Sequence, residues 1–271
     1  LKRIVYKSMP SDAQVKHLSD QLNNNPIIAT LLLQRGLYTF EAARDFFRPR
    51  LSQLYNPFLM QDMEKAIARI ANAIERGEKI LIYGDYDVDG TTAVALVYSY
   101  FKGFYSNLVY YVPDRYQEGY GISTAGVDYA NQHGVTLMIA LDCGIKEQNQ
   151  IAYAATLGID VIVCDHHEPS VLPPAWAILN PKRKDCNYPF KDLSGCGIGF
   201  KLIQAYAMYT QQPLEDIYSF LDLTAVSIAA DIVSMTDENR ILVKFGLEKM
   251  NTSPRSGIEW ILQTAGIQKA S

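Results

Sequence analysis

The sequence predicts an α/β protein, a parallel β-sheet flanked by helices, with a helical cap at its N-terminal end. Three observations carry that expectation. From residue 79 onward, short apolar runs alternate with helix-patterned stretches. The runs lack polar alternation, as strands covered on both faces do. Acidic residues recur where the runs end, and open α/β sheets bind ligands beyond those strand ends.

The cap is expected over residues 1–76. Ser11-Asp12 can start a helix running through Leu22, and Pro26 can open another that ends at Gly36. Thr39 suggests a third, running to about Arg48. Ala66, Ile67, Ile70, Ala71 and Ile74 form the apolar stripe of a longer helix ending at Gly77. The sheet domain follows over residues 77–271. Its strands are expected at 79–83, 108–112, 135–141, 159–164 and 176–179. Helices are expected at 91–101 and 146–157, and again after residue 197, over 223–235 and 241–250.

Composition narrows the function. The chain has 271 residues, 48% of them hydrophobic, which allows a large core and does not resemble a disordered composition. It holds no apolar run of about 18 residues, so no membrane span is expected. Residues 1–7 lack the apolar stretch of a secretory signal. Cys143, Cys164, Cys186 and Cys196 include no C-x-x-C pair, which argues against a zinc ribbon. Reduced thiols in the cytoplasm are the expectation. A net charge of −4 disfavours a general binder of duplex DNA. It does not disfavour a nuclease, because bound cations invert the field of clustered carboxylates.

Four segments carry chemistry. The first strand runs into Asp85, Asp87 and Asp89, three alternating carboxylates. On extended backbone they would share a face and repel one another unless cations lay between them. A solvated acidic loop is the plain alternative. Asp142 follows the third apolar run and precedes Gly144, a position that also suits a helix cap. Asp165, His166 and His167 end the fourth run. Two of the chain's four histidines are adjacent here, which packing explains poorly and metal ligation explains well. Asp231 lies in the apolar stretch 223–235, where a buried carboxylate is costly unless paired or metal-bound. An exposed helix face would explain it too. Oxygen and imidazole donors in this number suit two ions of Mn²⁺ or Mg²⁺, about 3.5–4 Å apart.

Three further features point to a phosphate-bearing substrate, each with an ordinary surface reading beside it. Arg115 follows the second strand and can grip phosphate oxygens. Gly195 and Gly197 precede a helix and can offer N–H groups to phosphate. Lys182-Arg183-Lys184 can track a nucleic-acid backbone.

The segments Tyr-Gly-Asp-Tyr-Asp-Val-Asp-Gly-Thr-Thr (83–92), Leu-Asp-Cys-Gly (141–144), Asp-His-His (165–167) and Ala-Ala-Asp-Ile-Val (229–233) resemble the four motifs of the DHH phosphoesterase superfamily. Small-substrate members usually carry a histidine where this chain has Tyr83, so the first motif is most similar to RecJ-type nucleases. The resemblance covers about residues 15–250. It implies metal-dependent, 5′ to 3′ hydrolysis of single-stranded DNA in recombination and repair. Single-strand-binding protein and a helicase are the partners it implies. It implies Asp87, Asp89, Asp142, His166 and Asp231 as metal ligands, with Asp142 bridging and Asp85 close by. His167 would lie beside the scissile phosphate, and Asp165 would orient the histidine pair. The family pattern includes a second, substrate-binding domain, which is not expected within these 271 residues. A small-substrate phosphodiesterase and a non-catalytic DHH scaffold remain as alternatives.

Overall fold

The computed structural model describes residues 7–271. Residues 1–6, the start of the expected cap, lie outside the described residues. The chain divides into two compact units, Leu1–Gln53 and Leu54–Ser271.

The first unit contains α1 (Asp12–Leu22), α2 (Pro26–Leu33) and α3 (Phe40–Phe47). The starts expected from sequence are the ones observed. Ser11 and Gln14 form a reciprocal capping box, and Asn25 caps α2 just before Pro26. Leu18, Ala29, Leu32, Leu33 and Ala43 make a small core of the unit's own.

The second unit opens with α4 (Met63–Glu75). Sequence placed this helix in the cap; the structure moves it. The buried stripe of α4, Met63, Ala66, Ile67, Ile70 and Ala73, belongs to the unit that holds the sheet. An apolar stripe shows that a helix packs, not which neighbour it packs against. The unit boundary therefore falls at residue 53 rather than 76.

Five strands follow: β1 (Lys79–Gly84), β2 (Leu108–Tyr111), β3 (Val135–Leu141), β4 (Asp160–Cys164) and β5 (Ala177–Leu179). All pair in parallel, in the order β2-β1-β3-β4-β5. Between them run α5 (Val88–Lys102), α6 (Thr124–Gln132) and α7 (Gln148–Thr156). α6, which the sequence reading did not separate, packs with α7 against Leu81, Tyr83, Met138, Ala140, Val161 and Val163. α5 and α8 (Gly195–Tyr209), the latter buried from Gly195 to Ala207, pack against β1, β3 and β4. The chain then continues as α9 (Leu214–Tyr218), α10 (Leu221–Ala230), α11 (Asp237–Thr252) and α12 (Ser256–Thr264). The short α9 and the amphipathic α12 were not read from sequence. Among the described residues, no helix is long and apolar enough to cross a membrane.

The strand order reverses between β1 and β3, because β1 is followed on one side by β2 and on the other by β3. Such a switch point leaves a crevice at the carboxyl ends of the strands. Register sharpens it. Gly84 pairs with Leu141, Leu141 with Cys164, and Cys164 with Leu179. The next residue on each strand is therefore Asp85, Asp142, Asp165 and Asn180, a polar row along one edge of the sheet.

Candidate metal centre

Two donor groups meet at this edge, each with atoms within 4.8 Å of one another: Asp142, His166 and His167, and Asp89, His166 and Asp231. His166 joins them. Its Nε2 lies 3.2 Å from Asp142 Oδ1, 3.5 Å from Asp231 Oδ2 and 3.8 Å from Asp89 Oδ2.

Asp142 is the most constrained of these residues. Its backbone is left-handed, with φ +59°. For a residue with a side chain that costs on the order of 1–3 kcal/mol, a strain found most often at functional sites. Asp tolerates it better than most. A Cβ on Gly195 would lie 2.5 Å from the Asp142 Cβ, so only glycine lets α8 start this close. Burial, with Asp89 and Asp87 nearby, pushes the Asp142 carboxyl up to about 11.

Asp89 lies in the first turn of α5, not on extended chain. The expectation that Asp85, Asp87 and Asp89 share one strand face is corrected here, because β1 ends at Gly84 and α5 begins at Val88. Asp87 is exposed and caps α5, its Oδ1 accepting from the Gly90 amide at 3.0 Å. Asp85 is fully buried, and its Oδ1 accepts from the Gly121 amide at 3.3 Å. Neither belongs to the two donor groups, although Asp87 is near enough to raise Asp142. Asp231 is corrected in the same way. It is the C-cap of α10 rather than a residue buried within the helix, and its side chain is 28% exposed. Burial raises its carboxyl, and His166 partly offsets the rise.

The histidines divide their tasks. Burial lowers the His166 pKa against the pull of Asp89, favouring the neutral imidazole that metals bind. His167 Nδ1 sits 2.7 Å from Asp165 Oδ1, and that hydrogen bond raises the His167 pKa. Burial alone would raise Asp165, but His167, in hydrogen bond and charge, and the Ile145 amide bring it below the usual range. Asp165 thus orients His167 in particular. Two residues that the sequence reading gave no role complete the arrangement. Asn180 donates to the His167 carbonyl at 2.8 Å. The Tyr120 hydroxyl donates to the Asp142 carbonyl at 2.9 Å and lies 3.2 Å from both His167 ring nitrogens. The register row would have pointed to Asn180; nothing local singles out Tyr120.

The substrate-side expectations fare differently. Arg115 is exposed, its guanidinium 5.4 Å from the centre of the Tyr86 ring. The Gly195 and Gly197 amides are not free for phosphate. Gly195 N–H donates to Asp89 Oδ2 at 2.7 Å and Gly197 N–H to Ser194 Oγ at 3.0 Å. The helix N-terminus already holds an anion, and that anion is a side chain of the protein. Arg183 is likewise engaged, bridging Asp62 and Asp185 at 2.6 Å each.

The residues present fit a divalent cation. Asp142 Oδ1, Asp85 Oδ2 and His166 Nδ1 are buried and have no hydrogen-bond partner. Buried polar atoms are normally satisfied, so an acidic cluster with orphaned atoms is incomplete by itself. The donors are carboxylate oxygen and imidazole nitrogen, the set that suits Mn²⁺ and Mg²⁺.

Fold and centre together define a DHH-type domain, and the DHH family, N-terminal domain, matches residues 79–228. The chain belongs to that family. Its relatives are specific. It is 40% identical over 258 residues to the single-stranded-DNA-specific exonuclease RecJ of Bacillus subtilis, covering 95% of this chain and 32% of that protein. It is 36% identical to the Escherichia coli enzyme of the same name, covering 76% of this chain and 38% of that protein. Among solved structures, RecJ from Thermus thermophilus in complex with Mn²⁺ superposes with a TM-score of 0.80 at 26% identity, over 96% of this chain and 37% of that one. An exonuclease RecJ bound to manganese gives a TM-score of 0.72 at 28% identity, over 80% of this chain and 54% of that one. The chain spans about a third of the length of these curated relatives.

Proposed function

We propose that this chain provides the catalytic centre of a metal-dependent exonuclease that hydrolyses single-stranded DNA, 5′ to 3′, in the cytoplasm. The observation that carries the reading is the pair of donor groups sharing His166, set at the switch point of the sheet. Its support from relatives is the match to RecJ enzymes over nearly the whole chain.

Asp89, Asp142, His166 and Asp231 would hold two ions of Mn²⁺ or Mg²⁺. Asp87, at the start of α5, would join them. Two such ions lower the pKa of water and offset charge on a phosphoryl group. The protein's own residues do the rest. His167, held by Asp165 and Asn180, lies beside the centre, where it stabilises charge building on phosphate oxygens. Arg115, on the loop that carries Tyr120, steadies the phosphate of a bound strand. Single-strand-binding protein and a helicase, which would deliver such strands, are the proposed partners.

The test is direct. With Mn²⁺, labelled single-stranded DNA should be shortened from its 5′ end while duplex persists. Release of label from the 3′ end first, or equal attack on duplex, refutes the reading.

A further inference from the structure

Asp89 is held from three directions. Its Oδ1 accepts from the Cys196 amide at 2.7 Å and from the Ser227 hydroxyl at 2.6 Å. Its Oδ2 accepts from the Gly195 amide at 2.7 Å. The Ser227 hydroxyl also lies 2.6 Å from that of Ser194, which in turn accepts from the Gly197 amide at 3.0 Å. Asp89, Ser194 and Ser227 are all buried.

Chemistry fixes the direction of this chain. A carboxylate accepts and does not donate, so the Ser227 proton points at Asp89. The Ser227 oxygen must then accept the Ser194 proton, and the Ser194 oxygen accepts from Gly197. Donation therefore runs one way, from the first turn of α8 through two hydroxyls to Asp89 Oδ1. Bonds aligned in this manner polarise and strengthen one another. With two donors, Oδ1 is fully engaged. Oδ2 has a single donor, and it is the oxygen that faces His166 Nε2.

We propose that Ser227 is a positioning residue for Asp89. With the Cys196 amide and the Ser194 relay behind it, Ser227 ties down Oδ1, so that Asp89 offers Oδ2 alone to a cation. The inference rests on the metal-dependent reading above. Partners that orient a ligand in this way typically change metal affinity 10–100-fold when removed. A serine pair that served only to pack α10 against α8 would alter stability and leave affinity alone.

Calorimetric titration with Mn²⁺ separates these cases, using the wild-type chain, Ser227→Ala, Ser227→Thr and Ser227→Val. Thr and Val have nearly the same shape, and only Thr keeps a hydroxyl. The expected result is a loss of affinity of about tenfold or more in the Ala and Val variants, with Thr close to wild type. Equal affinity in the Thr and Val variants, or in Ser227→Ala and wild type, overturns the proposal. Should the two larger residues prevent folding, as judged by circular dichroism, Ser227→Ala against wild type decides. Wild-type protein that binds no Mn²⁺ overturns the functional reading and this inference with it. Wild-type binding matched by Ser227→Ala overturns this inference alone.

Discussion

Two clusters of buried charge lie in the same unit, and they are built on opposite terms. In one, Lys201 of α8 meets Glu238 of α11, both fully buried, at 3.0 Å. The Lys201 ammonium also donates to the Tyr55 carbonyl, and Glu238 accepts from the Tyr55 amide and the Tyr188 hydroxyl. Charge is balanced and the carboxylate is satisfied at both oxygens. In the other, Asp85, Asp89 and Asp142 are buried, His166 lies against Asp89 and Asp142, and three polar atoms have no partner. A buried pair left intact is compatible with a stable fold, whereas buried like charges favour proton uptake or a cation. Burial of charge thus does not mark a functional site. Incomplete compensation does.

That contrast can be broken at either cluster. Asp142→Ala and His166→Ala should each lower Mn²⁺-dependent nuclease turnover by more than about 10²-fold, beyond the loss typical of an outer partner, with the circular dichroism spectrum retained. Near-normal turnover in either purified variant removes the metal assignment. Glu238→Ala should do the reverse. Leaving Lys201 buried and unpaired should destabilise the chain by about 3–5 kcal/mol in urea unfolding. Mn²⁺ affinity of the remaining folded protein should be unchanged; a matching loss of affinity would show the clusters to be coupled.

Asp231→Asn tests the proposed role of a partly exposed carboxylate. Mn²⁺ affinity by calorimetry should fall about 10-fold or more, while unfolding of the metal-free protein hardly changes. Unchanged affinity would retire Asp231 from the centre. The smallest effect is a dependence on pH. Asp142 has a folded pKa raised above its unfolded value, so its contribution to stability is present at low pH. That contribution is lost progressively from about pH 4 toward pH 11, and the metal-free chain should melt lower at pH 9 than at pH 5. Asp142→Asn, which tolerates the left-handed backbone, should flatten this slope, as should Mn²⁺. An equal slope in the variant would show that other groups set it.

The legible and illegible parts of the structure differ in how far apart the contacting residues are. All five strands were legible, because each is a local apolar run with a turn behind it. Asp142, His166 and His167 were legible for the same reason: strand ends point at the crevice. The positions of Asp87 and Asp89 were misread because a strand-to-helix transition within the motif changes which side chains share a face. The glycines at 195 and 197 were assigned to phosphate, yet their amides serve Asp89 and Ser194. Ser227 reaches Asp89 across 138 residues of sequence, and Tyr55 reaches Glu238 across 183. No local periodicity records such pairs. α4 was assigned to the wrong unit because its stripe fits any apolar partner.

The spread of the centre along the chain has a consequence in time. The two donor groups begin at Asp89 and end at Asp231, and the last is fixed only where α10 stops. A polypeptide emerging from the ribosome presents Asp142 and His166 well before Asp231 exists. On the proposed function, the growing chain carries no finished hydrolytic centre until Asp231 has been made. The same dependence holds in reverse. On the proposed function, local opening at α10 would displace Asp231, so an ageing or damaged molecule should lose the power to cut nucleic acid before it loses its shape.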